Sequence, residues 1–149
     1  MIYRLQDEFK IYEGNWENDE KNGFGTLIGK DAVYEGNFFK DEMNGEGQMT
    51  WDNGDKYQGS FVNGKKEGRG TMRYSNGDFY EGEFKENLMW GEGSYKWATG
   101  ESYRGFFREG KMLGHGKLYF NNNVTAEGDF GGKNEDLVFE LREVNNRYE

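Results

Sequence analysis

The sequence predicts an all-β fold, an elongated, twisted, single-layer antiparallel sheet of successive β-hairpins. Three observations predict it. The phrase aromatic-x-Gly-x-aromatic recurs as YEGNW at Tyr12, YEGNF at Tyr34, YQGSF at Tyr57, YEGEF at Tyr80 and YRGFF at Tyr103, with a worn copy, AEGDF, at Ala126. The starts lie 22, 23, 23, 23 and 23 residues apart, a period that marks a repeat array. Within each unit the apolar positions alternate at spacing two, the period of a strand.

Residues 57–79, YQGSFVNGKKEGRGTMRYSNGDF, show how one unit reads. Tyr57, Gly59 and Phe61 share one face of a first strand, and Gln58 and Ser60 share the other. Gly68, Gly70, Met72 and Tyr74 share a face of a second strand, with Arg69, Thr71 and Arg73 opposite. The intervening VNGKKE is expected to be a loop. Ser75-Asn76-Gly77-Asp78 is expected to close the unit as a type I′ turn, because Asn-Gly tolerates positive φ at both central positions. Asn53-Gly54 repeats that signal, and Thr99-Gly100 weakly echoes it.

Glycine in a strand costs roughly 0.5–1 kcal/mol against alanine, so its regular placement needs a reason. The pairs Gly23/Gly25, Gly45/Gly47, Gly68/Gly70, Gly91/Gly93 and Gly114/Gly116 each start 11 residues after their Tyr. Both members are expected on the aromatic face, leaving room for rings to lie on the backbone.

The array divides into repeats at 12–33, 34–56, 57–79, 80–102 and 103–125. Residues 1–11 read as an N-terminal capping strand or half-repeat. Residues 126–142 read as a degenerate sixth repeat and C-terminal cap, where Leu137, Phe139 and Leu141 replace the small residues, and 143–149 read as a tail. The first repeat is one residue short, so its turn at Gly29–Asp31 should differ.

A chain of 149 residues makes one domain. Its net charge of −9 repels nucleic acid and anionic membrane surfaces except where a local basic patch intervenes. It has no cysteine, which excludes disulfides, thiolate metal sites and thiol nucleophiles. The start, MIYRLQDEF, is too polar for a signal peptide, so an intracellular soluble protein is expected and the acceptor pattern Asn123-Val124-Thr125 is expected to stay idle. The chain holds 24 Gly and no Pro, yet also four Trp, ten Tyr and twelve Phe; disordered chains are poor in aromatics.

The phrase Y-x-G-x-[FW], the Gly 11 residues after the Tyr, the G-x-G pair and the Asn-Gly turn at period 23 together resemble MORN repeats over residues 12 to about 130. The resemblance implies the twisted sheet of hairpins, on the order of 60 Å long at about 10 Å per repeat. It implies no catalytic activity of its own. It implies an interaction scaffold, cytoplasmic and associated with cytoskeletal, ciliary or membrane-linked structures, or an appendage to an enzyme such as a lipid kinase or methyltransferase, with lipid binding also attributed to the repeat.

No catalytic constellation emerges beside it. His115 is the only histidine and sits between glycines on the polar face, read as solvated. The G-x-G pairs lack the Lys-Ser/Thr and helix of a phosphate loop. Asp52-Asn53-Gly54-Asp55 departs from a calcium loop at its Gly and at position twelve, where Asn63 stands. Glu81 and Glu83 read as solvent-facing strand carboxylates. The chain is read as a non-enzyme with no cofactor and no metal.

A single-layer sheet leaves an apolar face open, and a contiguous apolar surface marks an interaction site. The expected protein-binding residues on it are Trp51, Tyr57, Phe61, Tyr74, Tyr80, Phe84, Trp97, Tyr103 and Phe107. Departures from the repeat add a rim patch: Leu88, Met89 and Trp90 in the fourth loop, Met112 and Leu113 in the fifth, and Met43 farther along. Phe106 and Tyr119 interrupt the polar face and are expected to pair across strands. Lys65, Lys66, Arg69 and Arg73 make the third repeat basic, Arg104, Arg108, Lys111 and Lys117 the fifth, while the first is acidic. These cations are candidate contacts for lipid headgroups or an acidic partner. The leading expectation is an adaptor binding a helix or extended peptide of another protein along the aromatic face. Peripheral phospholipid association and homo-oligomerisation are the alternatives, with no nucleic acid and weak or no direct membrane binding.

Overall fold

The computed structural model describes residues 2–5 and 8–131, with side chains from Lys10 onward. Among these residues all regular structure is strand: β1 (Ile2–Leu5), β2 (Glu8–Glu17), β3 (Glu20–Ile28), β4 (Ala32–Phe39), β5 (Glu42–Trp51), β6 (Lys56–Val62), β7 (Lys65–Arg73), β8 (Phe79–Lys85), β9 (Leu88–Lys96), β10 (Ser102–Arg108), β11 (Lys111–Tyr119) and β12 (Thr125–Phe130). They form one twelve-stranded sheet in which spatial order equals chain order, and each paired neighbour is antiparallel. The expected sheet of hairpins is therefore present. Leu137, Phe139, Leu141 and the tail lie outside the described residues.

Register brings the glycines together. Gly14, Gly25, Gly36, Gly47, Gly59, Gly70, Gly82, Gly93, Gly105, Gly116 and Gly128 pair in succession, an unbroken row from β2 to β12. The repeat tyrosines lie along this row, each reaching over the glycine of its own phrase and the glycine opposite. A Cβ built on Gly70 would stand 2.5 Å from the Tyr57 hydroxyl oxygen. Only glycine fits beneath such a ring.

The first glycine of each G-x-G pair does something else. Gly68 has φ +81°, and a Cβ there would point at Ser60 on the polar side, 3.6 Å from its Cβ. The register explains it: Gly59 pairs with Gly70 while Phe61 pairs with Lys66, so β7 carries two extra residues opposite Ser60. Such a bulge turns on a left-handed glycine. The sequence reading, which put both glycines on the aromatic face for one purpose, is corrected to two purposes.

The turns are also exchanged relative to expectation. The segment VNGKKE is no loop: Val62 pairs with Lys65, and Asn63-Gly64 alone turns the chain, with φ of 49° and 80°. This is the type I′ geometry, and it recurs at Asn18-Asp19, Lys40-Asp41, Glu86-Asn87 and Glu109-Gly110. At the opposite edge, Gly77 N–H donates to the Tyr74 carbonyl and Tyr74 N–H to the Asp78 carbonyl, with only Gly77 left-handed. That is a type I turn with a glycine bulge, in place of the expected type I′ turn; Asn53-Gly54 behaves the same way. The short first repeat differs, its Gly29 N–H meeting the Ala32 carbonyl across two residues.

Successive turns are stapled together. At the tight-turn edge, Asn87 N–H donates to the Lys66 carbonyl and the Asn87 side chain accepts from Lys66 N–H; Asp41 and Lys21 repeat the exchange. At the long-turn edge, the Asp55 and Asp78 carboxylates accept from Ser75 N–H and Ala98 N–H of the next unit.

The core is a ladder of rings. Tyr12, Tyr34, Tyr57, Tyr80 and Tyr103 are buried with Phe38, Phe61, Phe84, Phe107 and Phe130. Tyr57 meets Phe61 of its own repeat and Phe84 of the next, centroids 5.0 and 5.1 Å away and planes near perpendicular. The pattern runs unbroken from Tyr12 to Phe130. Edge-to-face contacts contribute about 0.5–1.5 kcal/mol each beyond area burial. Among the described residues the sheet has no second layer, and the rings cover one another.

Candidate functional site

That self-coverage decides which rings a partner could reach. Tyr57 and Tyr80 are 0% exposed, and Phe61, Phe84, Tyr103 and Phe107 are also buried within the chain. These six, expected from sequence to contact a partner, form the floor and cannot be touched. The surface open on this side is the half-buried margin packed against them. Toward the long turns it holds Leu27, Met49, Trp51, Tyr74, Tyr95 and Trp97; toward the tight turns, Met43, Met89 and Met112. Leu27, Tyr34, Met43, Met49 and Trp51 line a notch of about 250 Å³ within it. Tyr95, which sequence reasoning did not single out, donates its hydroxyl to Asp78 at 2.6 Å; its position after the second G-x-G glycine was the available signal.

The rim patch does not hold as one surface. Because β9 begins at Leu88, its residues alternate, and Met89, opposite Phe84, packs on the aromatic side with Met112. Leu88, opposite Lys85, is on the polar side and 45% exposed. Alternation carries Trp90 there too, where its ring lies against Lys85 and Arg108. Leu113 follows Met112 onto the polar side.

The basic residues divide similarly. Of the cations singled out in the sequence, Lys65, Arg69, Arg73, Arg104, Arg108 and Lys111 belong to the polar side and Lys66 to the aromatic side. Its Nζ lies 5.2, 5.5 and 5.6 Å from the ring centroids of Trp51, Tyr57 and Phe84. Burial in that cage lowers the amine's pKa, and Asp55 partly opposes the shift. Burial likewise pushes the Tyr34 and Tyr103 hydroxyls up to about 12, and raises Tyr57, Tyr80 and Tyr95 further.

The polar side has a shallow hollow of about 540 Å³ where Arg69, Arg104 and Lys117 alternate with Glu81, Glu92 and Glu127. His115 lies at its border, exposed, 3.0 Å from Glu127 and 3.8 Å from Asp129. Phe106, opposite Glu92, is 44% exposed, and Tyr119 pairs with Ser102 and Thr125, so the two do not form the expected cross-strand pair. Phe24, between Gly23 and Gly25, is a further exposed ring on this side that sequence reading passed over. Among the described residues no three His, Cys, Asp or Glu side chains converge where a metal could sit.

A stack of equivalent hairpins sharing one aromatic spine defines an all-β repeat protein. The chain belongs to the MORN-repeat family, whose model matches residues 12–31, 34–56, 57–79, 80–102 and 103–125. Proteins of this family are generally non-enzymatic and often serve in membrane or protein binding. No individual curated protein matches the sequence.

Proposed function

We propose that the protein is a non-catalytic adaptor that holds a helix or extended peptide of a partner protein along its aromatic side. The observation that carries this reading is the open margin beside the buried ladder. Apolar side chains from Leu27 to Trp97 remain partly exposed there, and among the described residues no second layer covers them. The notch beside Met49 and Trp51 has room for an apolar anchor side chain. Two lines of margin residues separated by a ring floor match the way a helix or strand offers alternating anchors to a groove. On family grounds we attach this role to a cytoplasmic assembly of cytoskeletal, ciliary or membrane-linked kind.

A photo-crosslinking amino acid placed at Met49 or Trp97 should capture a partner from native extract, identified by mass spectrometry. The same group at Gln48 or Lys96, their neighbours on the polar side, should not. Crosslinks confined to Gln48 and Lys96 would reject the groove.

A further inference from the structure

We infer that the polar side of the fourth and fifth hairpins is a second docking surface, one for an acidic peptide segment that also carries apolar side chains. It is independent of the aromatic margin. At the place Trp90 occupies, the other hairpins carry Asn22, Asn44, Glu67 and Leu113. A tryptophan there does not serve the repeat. Its ring is held between two cations: Lys85 Nζ lies 4.8 Å and the Arg108 guanidinium carbon 5.6 Å from the ring centroid. Stacking on an aromatic face orders long cationic side chains that would otherwise be mobile. Among the described residues neither Lys85 nor Arg108 meets a carboxylate. Two ordered cations without anionic partners are arranged to receive carboxylates from outside.

The apolar half of the surface adjoins them. Leu88 stands opposite Lys85, and Phe106 belongs to the strand that also supplies Arg108, both apolar side chains being nearly half exposed. Glu83 and Glu92 lie on the same side toward the middle of the sheet, where they repel acidic groups. The tight turns beyond the two cations carry Glu86 and Glu109, and the Glu67 carboxylate accepts from Glu86 N–H. An acidic segment is therefore confined to the face between edge and middle, with its carboxylates at Lys85 and Arg108 and its apolar side chains on Leu88, Trp90 and Phe106. Arginine and tryptophan together are the residue types most enriched where interfaces concentrate their energy. The contacts to the exposed Lys85 and Arg108 weaken as salt screens them, while the repulsion from the chain's net charge of −9 is screened in the same range.

A random twelve-residue peptide display library selected against the full chain at low salt tests this. Enriched peptides should carry two or more acidic residues beside apolar ones. Their affinity should fall at least tenfold for Lys85→Glu/Arg108→Glu and for Trp90→Ala, and stay within twofold for the groove variant Met49→Glu. Circular dichroism and melting should confirm that each variant is folded; the substituted cations are exposed and outside the ring ladder. Enriched peptides without acidic residues would overturn the proposal, as would equal binding to the charge-reversed variant. Co-sedimentation with phosphatidylserine vesicles that the Lys85/Arg108 variant loses, with no acidic peptide enriched, would replace it with membrane association.

Discussion

The Tyr57 hydroxyl donates a 2.8 Å hydrogen bond to the Ser60 carbonyl, and the ring that carries it spans the paired glycines Gly59 and Gly70. Ser60 is the residue opposite the bulge, where the ladder skips from Gly59 to Phe61. One tyrosine thus fills the space above the glycines and occupies the carbonyl beside the bulge. The same bond recurs from Tyr12, Tyr34, Tyr80 and Tyr103 to the carbonyl three residues on. Gly70→Ala puts a methyl group where the ring lies, and overpacking of this kind costs about 1–3 kcal/mol. Tyr57→Phe keeps the ring and forfeits the bond, at a cost of about 1–2 kcal/mol. Urea denaturation should rank wild type above both variants. A Gly70→Ala protein as stable as wild type would mean that the ring does not rest on the backbone.

Asp78 joins consecutive repeats at the opposite edge. Its carboxylate accepts from Ala98 N–H at 2.8 Å and from the Tyr95 hydroxyl at 2.6 Å. Asp78→Ala leaves both donors without that acceptor and should cost about 1–3 kcal/mol. The Tyr95 pKa is raised by burial first, then by its bond and charge interaction with Asp78. Tyr74 is raised too, by burial first and then by the Asp55 and Asp78 charges, so spectrophotometric titration of the variant should show Tyr95 and Tyr74 ionising at lower pH than in wild type.

Much of this architecture was legible in the sequence, because the period, the alternation of Tyr57, Gly59 and Phe61, and the phrase itself all report backbone geometry. The two jobs of the glycines were not, since Gly68 and Gly70 differ only in the sign of φ and the spacing of two suggested a shared face. The exchange of turns has a related cause. Asn-Gly suits both a type I′ turn and a type I turn with a glycine bulge, whereas Lys40-Asp41 and Glu86-Asn87 turn left-handed without an obvious signal. Once the chain turns at Asn63-Gly64 and is strand again from Lys65, Lys66 comes inside, and in the fourth repeat Trp90 moves to the polar side. Burial of the ladder was hidden for another reason: periodicity shows that rings share a face, but only their mutual packing shows that Tyr57 is fully covered.

Lys66 occupies a place where other hairpins use methionine at Met43, Met89 and Met112, and lysine at Lys21. Its ammonium is desolvated among three rings, which recover part of the cost through cation–π attraction. Lys66→Met keeps the length of the side chain and removes the buried charge. It should stabilise the protein by about 0.5–2 kcal/mol, the range of a favourable single replacement. Thermal melting at neutral pH checks the sign. A lower melting temperature would show that the cage holds the ammonium more favourably than water does.

Alkaline pH should dismantle the ladder. Tyr34 and Tyr103 have pKa values raised to about 12, chiefly by burial, and Tyr57, Tyr80 and Tyr95 are raised in the same direction. In the unfolded chain a tyrosine ionises near 10. The unfolded state therefore loses protons first, and stability falls as pH rises. The contribution of these hydroxyls is fully present below pH 10 and is lost as pH climbs through 12. Lys66 acts oppositely: its lowered pKa makes folding more favourable as pH rises toward the ordinary lysine value of about 10.4. The five tyrosines outnumber that single amine, so the net effect above pH 10 is loss. Absorbance near 295 nm and far-ultraviolet circular dichroism followed together should change in one cooperative step above pH 10, with buried tyrosines ionising as the sheet opens. Ionisation of every tyrosine near pH 10 with the sheet intact would contradict the buried ladder.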